Sequence, residues 1–325
     1  MAEAGIPVAV VGLGEVGRAI ARAAAASPLL RLVAAADPAA GIAGRPLDRL
    51  LGAPAGGLTV LGDAGQAIAA ARGGVVLLAT TSALERALPL VERAVRGGCS
   101  VVTTCEELAY PWLDHEAEAE ALDALCEANG VAVVGTGVNP GFALDRLPAF
   151  LAQVVGEVRH VHAVRVVDLA KRRDALRRKV GCGLDEAAFR AADERGELGH
   201  AGLSQSAALA AAGCGIEVDE VEEELSPLLA EEAGEGLRPG QVAGVHQEAR
   251  AFAEGREVVR LELVLALGAE RPRDELELDA DPPLRLVVPG GIPGEAATVH
   301  AVLHAALAVG ERHGLLTVLD LPAGR

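Results

Sequence analysis

Short apolar runs bounded by glycine or polar turn residues alternate with longer amphipathic stretches through the first part of this chain. Residues 6–11, 29–36, 74–79, 100–104 and 131–135 read as buried strands, with a further short strand at 58–61 after a Gly/Pro-rich stretch. The spans 18–26, 64–71, 84–96 and 114–129 between them carry helical spacing. Strands alternating with helices at this interval predict a parallel, doubly wound sheet, an α/β fold.

From about residue 146 the pattern changes. β-Branched runs at 160–169, 241–246, 257–267 and 284–288 predict an antiparallel or mixed sheet, with helical spacing over 185–213. The carboxylate-rich span 217–235 reads as a solvated insert, and the last helix, 295–313, is expected to pack back on the first domain. The predicted organisation is a Rossmann-type domain over 1–145, joined by 295–325, and a C-terminal α+β domain over 146–294 for substrate binding and oligomer contacts. A homodimer is expected from the size of that second domain.

Composition narrows the classes. A formal charge of −17 argues against a nucleic-acid partner. No apolar run approaches the roughly 20 residues needed to cross a bilayer, and the N-terminus reads straight into a strand, so neither a membrane partner nor a signal peptide is expected. The five cysteines, Cys99, Cys105, Cys126, Cys182 and Cys214, are scattered without CxxC spacing and read as reduced thiols of a cytoplasmic protein. Aromatic residues make up only 2%, so a ligand pocket is expected to be aliphatic and compact.

Chemistry concentrates at the predicted strand ends, where ligands of doubly wound sheets bind. The run Gly12-Leu13-Gly14-Glu15-Val16-Gly17 sits between a strand and a helix, and the second strand ends on Asp37, twenty residues after Gly17. That is the dinucleotide-binding fingerprint: glycines for a tight turn, for approach of a pyrophosphate and for helix–strand packing. A carboxylate at Asp37 would accept ribose hydroxyls and repel a 2′-phosphate, favouring NAD(H), with NADP(H) open because Arg45 lies in the following loop. Ala79, Thr80, Thr81 and Thr104 are further cofactor-side candidates. Glu106 and Glu107 follow the fourth strand and read equally as a general acid/base or as first-turn carboxylates complementing a helix dipole. Thr136 to Phe142 form a rigid turn in which Asn139 offers a donor and an acceptor. The cationic run from Lys171 to Lys179 reads as a clamp for an anion or as a solvated face. His300 and His304 lie four apart, and His160 and His162 two apart, but no complete metal-ligand motif accompanies them, and no metal is expected.

With these pieces located, the chain resembles the 2,4-diaminopentanoate dehydrogenases and the related native amine dehydrogenases, whose fold is akin to dihydrodipicolinate reductase. The resemblance rests on GLGEVG, VVTTCEELAYPW (101–112), GTGVNPGFALD (135–145), VVDLAKRRDALRRKVGCGL (166–184), GELGHAGLSQS (196–206), GQVAGVHQ (240–247) and GLLTVLDLP (314–322), in order over nearly the whole length. It implies NAD(P)H-dependent reductive amination of a small ketone or aldehyde by ammonia, or the reverse deamination. It also implies an acid/base role on the Glu106–Glu107 pair, without choosing between them. Substrate contacts implied by motif are Asn139, Pro140 and Phe142, with His246 and Thr298 on the far wall. A diamino acid substrate would need a carboxylate clamp, for which Arg165, Arg172 or Arg173 would serve. The other reading is a non-catalytic dinucleotide sensor, against which an acid/base pair at a strand end argues.

Overall fold

The computed structural model describes residues 5–170, 174–234, 236–322 and 324. It divides into two compact units, residues 1–142 with 293–325, and residues 143–292.

The first unit begins with β1 (Ile6–Val11), α1 (Glu15–Ala26) and β2 (Leu30–Ala36). Two short helices, α2 (Leu47–Leu51) and α3 (Ala64–Ala70), lead to β3 (Val75–Leu78), α4 (Leu84–Arg96) and β4 (Ser100–Thr103). Two single 3-10 turns precede α5 (Glu116–Asn129) and β5 (Ala132–Gly135). The 58–61 segment forms only isolated bridges, Pro46 to Thr59 and Ala36 to Leu61, in place of the strand expected there. A stretch this short, set among glycines and prolines, has too few consecutive pairings to propagate a ladder.

The second unit runs α6 (Arg146–Ala152), β6 (His160–Asp168), α7 (Asp174–Lys179), α8 (Glu186–Asp193), α9 (Leu203–Gly213), β7 (Glu220–Leu229), β8 (Val242–Ala253), β9 (Arg256–Ala266), β10 (Arg273–Asp279) and β11 (Leu284–Pro289). Among the described residues its sheet has the order β11-β10-β6-β9-β8-β7. It is mixed, because β6 and β9 run parallel while the remaining neighbours are antiparallel. The acidic insert expected over 217–235 is largely β7, an edge strand paired with β8 along its length. Two of its four glutamates have partners: Glu222 meets Arg250, and Glu223 accepts from Gln247 and Ser204. Alternating glutamates on an edge strand look like solvation in a sequence, and they also protect the edge from further pairing.

The chain then returns to the first unit as α10 (Gly294–Ala308) and β12 (Gly314–Leu316), giving a parallel sheet of order β12-β5-β4-β3-β1-β2 among the described residues. Strand order reverses between β1 and β3, the crevice where such sheets bind ligands. Helix α1 buries Gly17, Ile20, Ala21 and Ala24, a stripe at helical period, and α10 packs on it through Val299, Val302, Leu303, Ala305 and Ala306. The alanines on both faces allow close approach of the two helices.

Alternation in the second sheet separates two faces. Val161, Ala163, Val245, Ala249, Ala251, Val259, Leu261, Leu263, Leu276 and Leu278 are buried in its core, which is completed by residues of α9 such as Leu203, Ala207, Ala210 and Ala211. The opposite positions, including His160, His162, His246, Glu248, Arg260 and Glu262, are half-buried. Three polar residues, Arg165, Gln247 and Asp274, share the buried face. Arg165 and Asp274 lie directly opposite one another across β6 and β10, and the Arg165 Nη1 donates to both Asp274 oxygens at 2.9 Å. Arg165 Nη2 also donates to the Ile292 carbonyl at 2.6 Å, and the Ile292 N–H donates to Asp274 at 2.7 Å.

Candidate active site

The turn between β1 and α1 has the geometry its glycines suggest. Gly12 adopts φ +89°, and a Cβ there would collide with the Ala79 carbonyl at the end of β3. A Cβ on Gly17 would strike the Gly12 carbonyl, so this helix can sit on this turn only with glycine present. Gly14 differs: a Cβ there would meet nothing within 4 Å. The open space lies at the N-terminus of a twelve-residue helix, where first-turn N–H groups and the helix dipole favour an anion. Asp37, at the end of β2, accepts from the Leu13 N–H through Oδ2 at 2.7 Å and from the Ala39 N–H through Oδ1 at 2.8 Å. Its carboxylate therefore braces the glycine turn, and each oxygen keeps a second lone pair for a hydroxyl. Leu13 is buried, while Glu15 and Val16 open α1. These residues fit a dinucleotide: open backbone for the phosphates and an anchored carboxylate beyond the next strand.

The ends of β3 and β4 are laced together. The Thr104 N–H donates to the Leu78 carbonyl at 3.0 Å, the Ala79 N–H to the Val11 carbonyl at 2.8 Å, and the Ala83 N–H to Thr81 Oγ1 at 3.3 Å. The Ser82 carbonyl accepts both the Glu107 N–H, at 3.3 Å, and the Cys105 thiol, at 3.0 Å. Burial pushes that thiol up to about 12, which excludes a resting thiolate nucleophile beside the carboxylates.

The structure separates the two glutamates. Glu107 Oε2 accepts the Leu84 N–H at 2.6 Å, capping the first turn of α4, and lies 3.4 Å from His115 Nε2. It is thus a helix-dipole carboxylate, but for α4 and not for the turn it opens. Glu106 is half-buried at the same strand end and makes no side-chain hydrogen bond among the described residues. Neither His115 nor the α4 N-terminus is adjacent to the pair in sequence, so no local signal distinguishes the two carboxylates.

The loop after β5 is anchored from α10. The Val138 N–H donates to Thr298 Oγ1 at 3.2 Å, and the Thr136 N–H donates to the Thr103 carbonyl at 2.9 Å. Asn139 and Pro140 are joined by a cis peptide bond, the Asn139 Nδ2 atom is buried, and Phe142 is half-buried. Within the first unit, Gly12–Gly17, Asp37, Ala79–Thr81, Thr104, the glutamate pair, Asn139, Pro140 and Thr298 therefore gather at the carboxyl edge of one sheet and the helix facing it. Thr298, implied as a pocket wall, is also the hydroxyl that ties α10 to the Asn139 loop.

The remaining substrate candidates belong to the second unit. Arg165 is committed to Asp274 and the Ile292 carbonyl, in a buried position that holds β6, β10 and the segment after β11 together. Arg172 and Arg173 lie outside the described residues. His246 projects from the half-buried face of the second sheet, its Nε2 2.9 Å from Glu262. Two of the motifs prove to be a structural pair: Gln247 accepts the His200 N–H at 2.8 Å and donates to the His200 carbonyl at 2.9 Å. A second pairing joins Ser206 to the fully buried Asp145, whose carboxylate accepts the serine hydroxyl at 2.9 Å.

Residues 142–325 match the model of the 2,4-diaminopentanoate dehydrogenase C-terminal domain, more than half of the chain. The chain belongs to the 2,4-diaminopentanoate dehydrogenase family. It is 27% identical over 265 residues to the 2,4-diaminopentanoate dehydrogenase of Acetoanaerobium sticklandii, covering 77% of this chain and 74% of that one. It is 34% identical over 194 residues to an amine dehydrogenase of Streptomyces virginiae, covering 55% and 51%. Its fold matches the solved amine dehydrogenase of Mycobacterium smegmatis with a TM-score of 0.86 over 100% of this chain and 98% of that one, at 22% identity. Among the described residues no helix is long and apolar enough to cross a membrane.

Proposed function

We propose that this family member is an amine dehydrogenase that interconverts a small ketone or aldehyde, with ammonia, and the corresponding primary amine, using NAD(H) or NADP(H). The observation that carries this reading is Glu106, a carboxylate at the end of β4 left uncommitted where its neighbour is spent on a helix cap. One strand, β3, separates β4 from β1, so the strand ends that lead into Glu106 and into the glycine cradle lie about 10 Å apart on the same sheet edge, two strand spacings.

The nicotinamide dinucleotide, when bound, supplies or accepts the hydride. The chain's own residues handle binding and protons. The turn around Gly14 and the first turn of α1 would receive the pyrophosphate, and Asp37 the adenosine ribose. An ammonium ion gives its proton to Glu106 and becomes ammonia. As the nitrogen adds to the carbonyl carbon, one of its own protons passes to the carbonyl oxygen, and Glu106 then gives the stored proton to the resulting hydroxyl, which leaves as water. The iminium left behind is cationic, and the same carboxylate stabilises it, more strongly where water is excluded. The Asn139 loop, held by Thr298, supports an amide donor and acceptor beside this position. A diamino acid substrate, which the family match favours as the second reading, needs a further cation for its carboxylate. Arg165 is already taken, so that reading turns on the 171–179 segment.

The test is oxidation of NADH and NADPH with excess ammonium, across short ketones and aldehydes beside 2-amino-4-oxopentanoate. Turnover of simple carbonyls is expected, and turnover confined to the amino acid ketone would replace the proposal with the diaminopentanoate reading. No turnover with any of them, despite tight dinucleotide binding, would favour a sensor. Asp37 is expected to make NADH the preferred reductant. In the same preparation Gly14→Val is expected to fold normally, because its side chain enters open space, and to weaken dinucleotide binding at least tenfold, read by fluorescence titration. Unchanged binding would displace the cradle from its assigned role.

A further inference from the structure

Three adjacent strands of the second sheet bring two histidines and two glutamates together on its half-buried face. Glu262, on β9, stands at the centre. His162 Nε2 on β6 lies 2.7 Å from Glu262 Oε1, and His246 Nε2 on β8 lies 2.9 Å from Glu262 Oε2. Glu248, also on β8, is the direct cross-strand partner of Glu262. Ligand atoms of His246, Glu248 and Glu262 all fall within 4.8 Å of one another.

We infer that this cluster is a binding site for a divalent transition-metal ion of the zinc class, built from His246, Glu248 and Glu262, with His162 holding the other oxygen of Glu262 and so orienting that ligand. Two carboxylates directly opposed on antiparallel strands repel one another, and a cation between them removes that penalty. An imidazole nitrogen beside two carboxylates suits Zn²⁺, Co²⁺ or Ni²⁺ better than Ca²⁺ or Mg²⁺, which prefer all-oxygen shells. Bonds of about 2.0 Å in a tetrahedron set ligand atoms about 3.3 Å apart, close to the spacing at which the atoms of His246, Glu248 and Glu262 already gather, with water to complete the shell. The strands themselves keep their register.

Neighbouring charges set the competition. Arg250 Nε holds one oxygen of Glu248 at 3.3 Å and its guanidinium also reaches Glu222, leaving the second Glu248 oxygen for a metal. Arg260 is engaged by Glu257, which also meets His160, so neither takes a ligand of the cluster. The ligating imidazole must be neutral, so binding releases any proton it carries.

The purified chain, freed of metal with a chelator, is titrated with Zn²⁺ by calorimetry and with Co²⁺ by visible absorption. One ion per chain, with the intense d–d bands of a tetrahedral cobalt site, is the expected result. His162→Gln and Glu262→Gln, shown to be folded by circular dichroism, should each weaken binding by at least about tenfold. Arg250→Gln, which frees Glu248, should tighten it. No saturable binding, or binding unchanged by both substitutions, would overturn the assignment. None of these readouts depends on turnover, so the site stands or falls separately from the proposed reaction.

Discussion

Glu106→Gln is expected to lower kcat by about 10²–10⁴-fold, the usual contribution of a positioned acid/base. Dinucleotide affinity and thermal stability should remain at the level of the unaltered protein, because the Glu106 side chain makes no hydrogen bond among the described residues. Glu107→Ala should behave oppositely. It removes the acceptor of the Leu84 N–H and the neighbour of His115, so the protein should lose about 0.5–2 kcal/mol of stability, the usual cost of a lost N-cap. Steady-state kinetics and urea unfolding on both variants separate the two roles. If Glu107→Ala abolishes turnover in a protein that remains fully folded, while Glu106→Gln turns over normally, the assignment of roles is reversed.

Asp274→Ala is expected to destabilise the second unit by about 3–5 kcal/mol, because it leaves the Arg165 guanidinium buried and without its carboxylate. The Ile292 N–H loses its acceptor in the same step. The joint replacement Arg165→Met with Asp274→Leu should recover most of that loss, since two apolar side chains no longer require desolvated charge. Chemical denaturation of the single and double variants gives the coupling directly. A cost below about 1 kcal/mol for Asp274→Ala, the range of an exposed ion pair, would mean that water reaches the pair. The same result would reopen Arg165 as a residue able to meet a substrate carboxylate.

Much of the first unit was legible in the sequence because its signals are local. The turn at Gly12–Gly17 and the carboxylate at Asp37 lie within one strand–helix–strand unit, so spacing alone predicts that they meet. The amphipathic stripe of α1 and the apolar runs of β3 and β4 are likewise properties of short windows. The acidic β7 was not legible, because Glu222 and Glu223 are satisfied by Arg250, Ser204 and Gln247, residues distant in the chain. Strand β10, with its alternating Asp, Glu and Leu, has the same difficulty: its buried Asp274 reads as polar until Arg165 is set opposite it.

By itself the sequence determined the α/β class, the glycine cradle with its anchored acid, the strand end carrying the glutamates, and the family. Each of these is written in contiguous residues whose backbone conformation follows from local sterics and periodicity. Tertiary structure alone decided which glutamate is committed to a helix cap, that Arg165 belongs to a buried ion pair, and that His162, His246, Glu248 and Glu262 share one face. It also decided that β12 closes the first sheet beside β5. All of these depend on contacts between segments far apart in the chain, and such contacts are set by strand order and register, which a one-dimensional pattern does not carry.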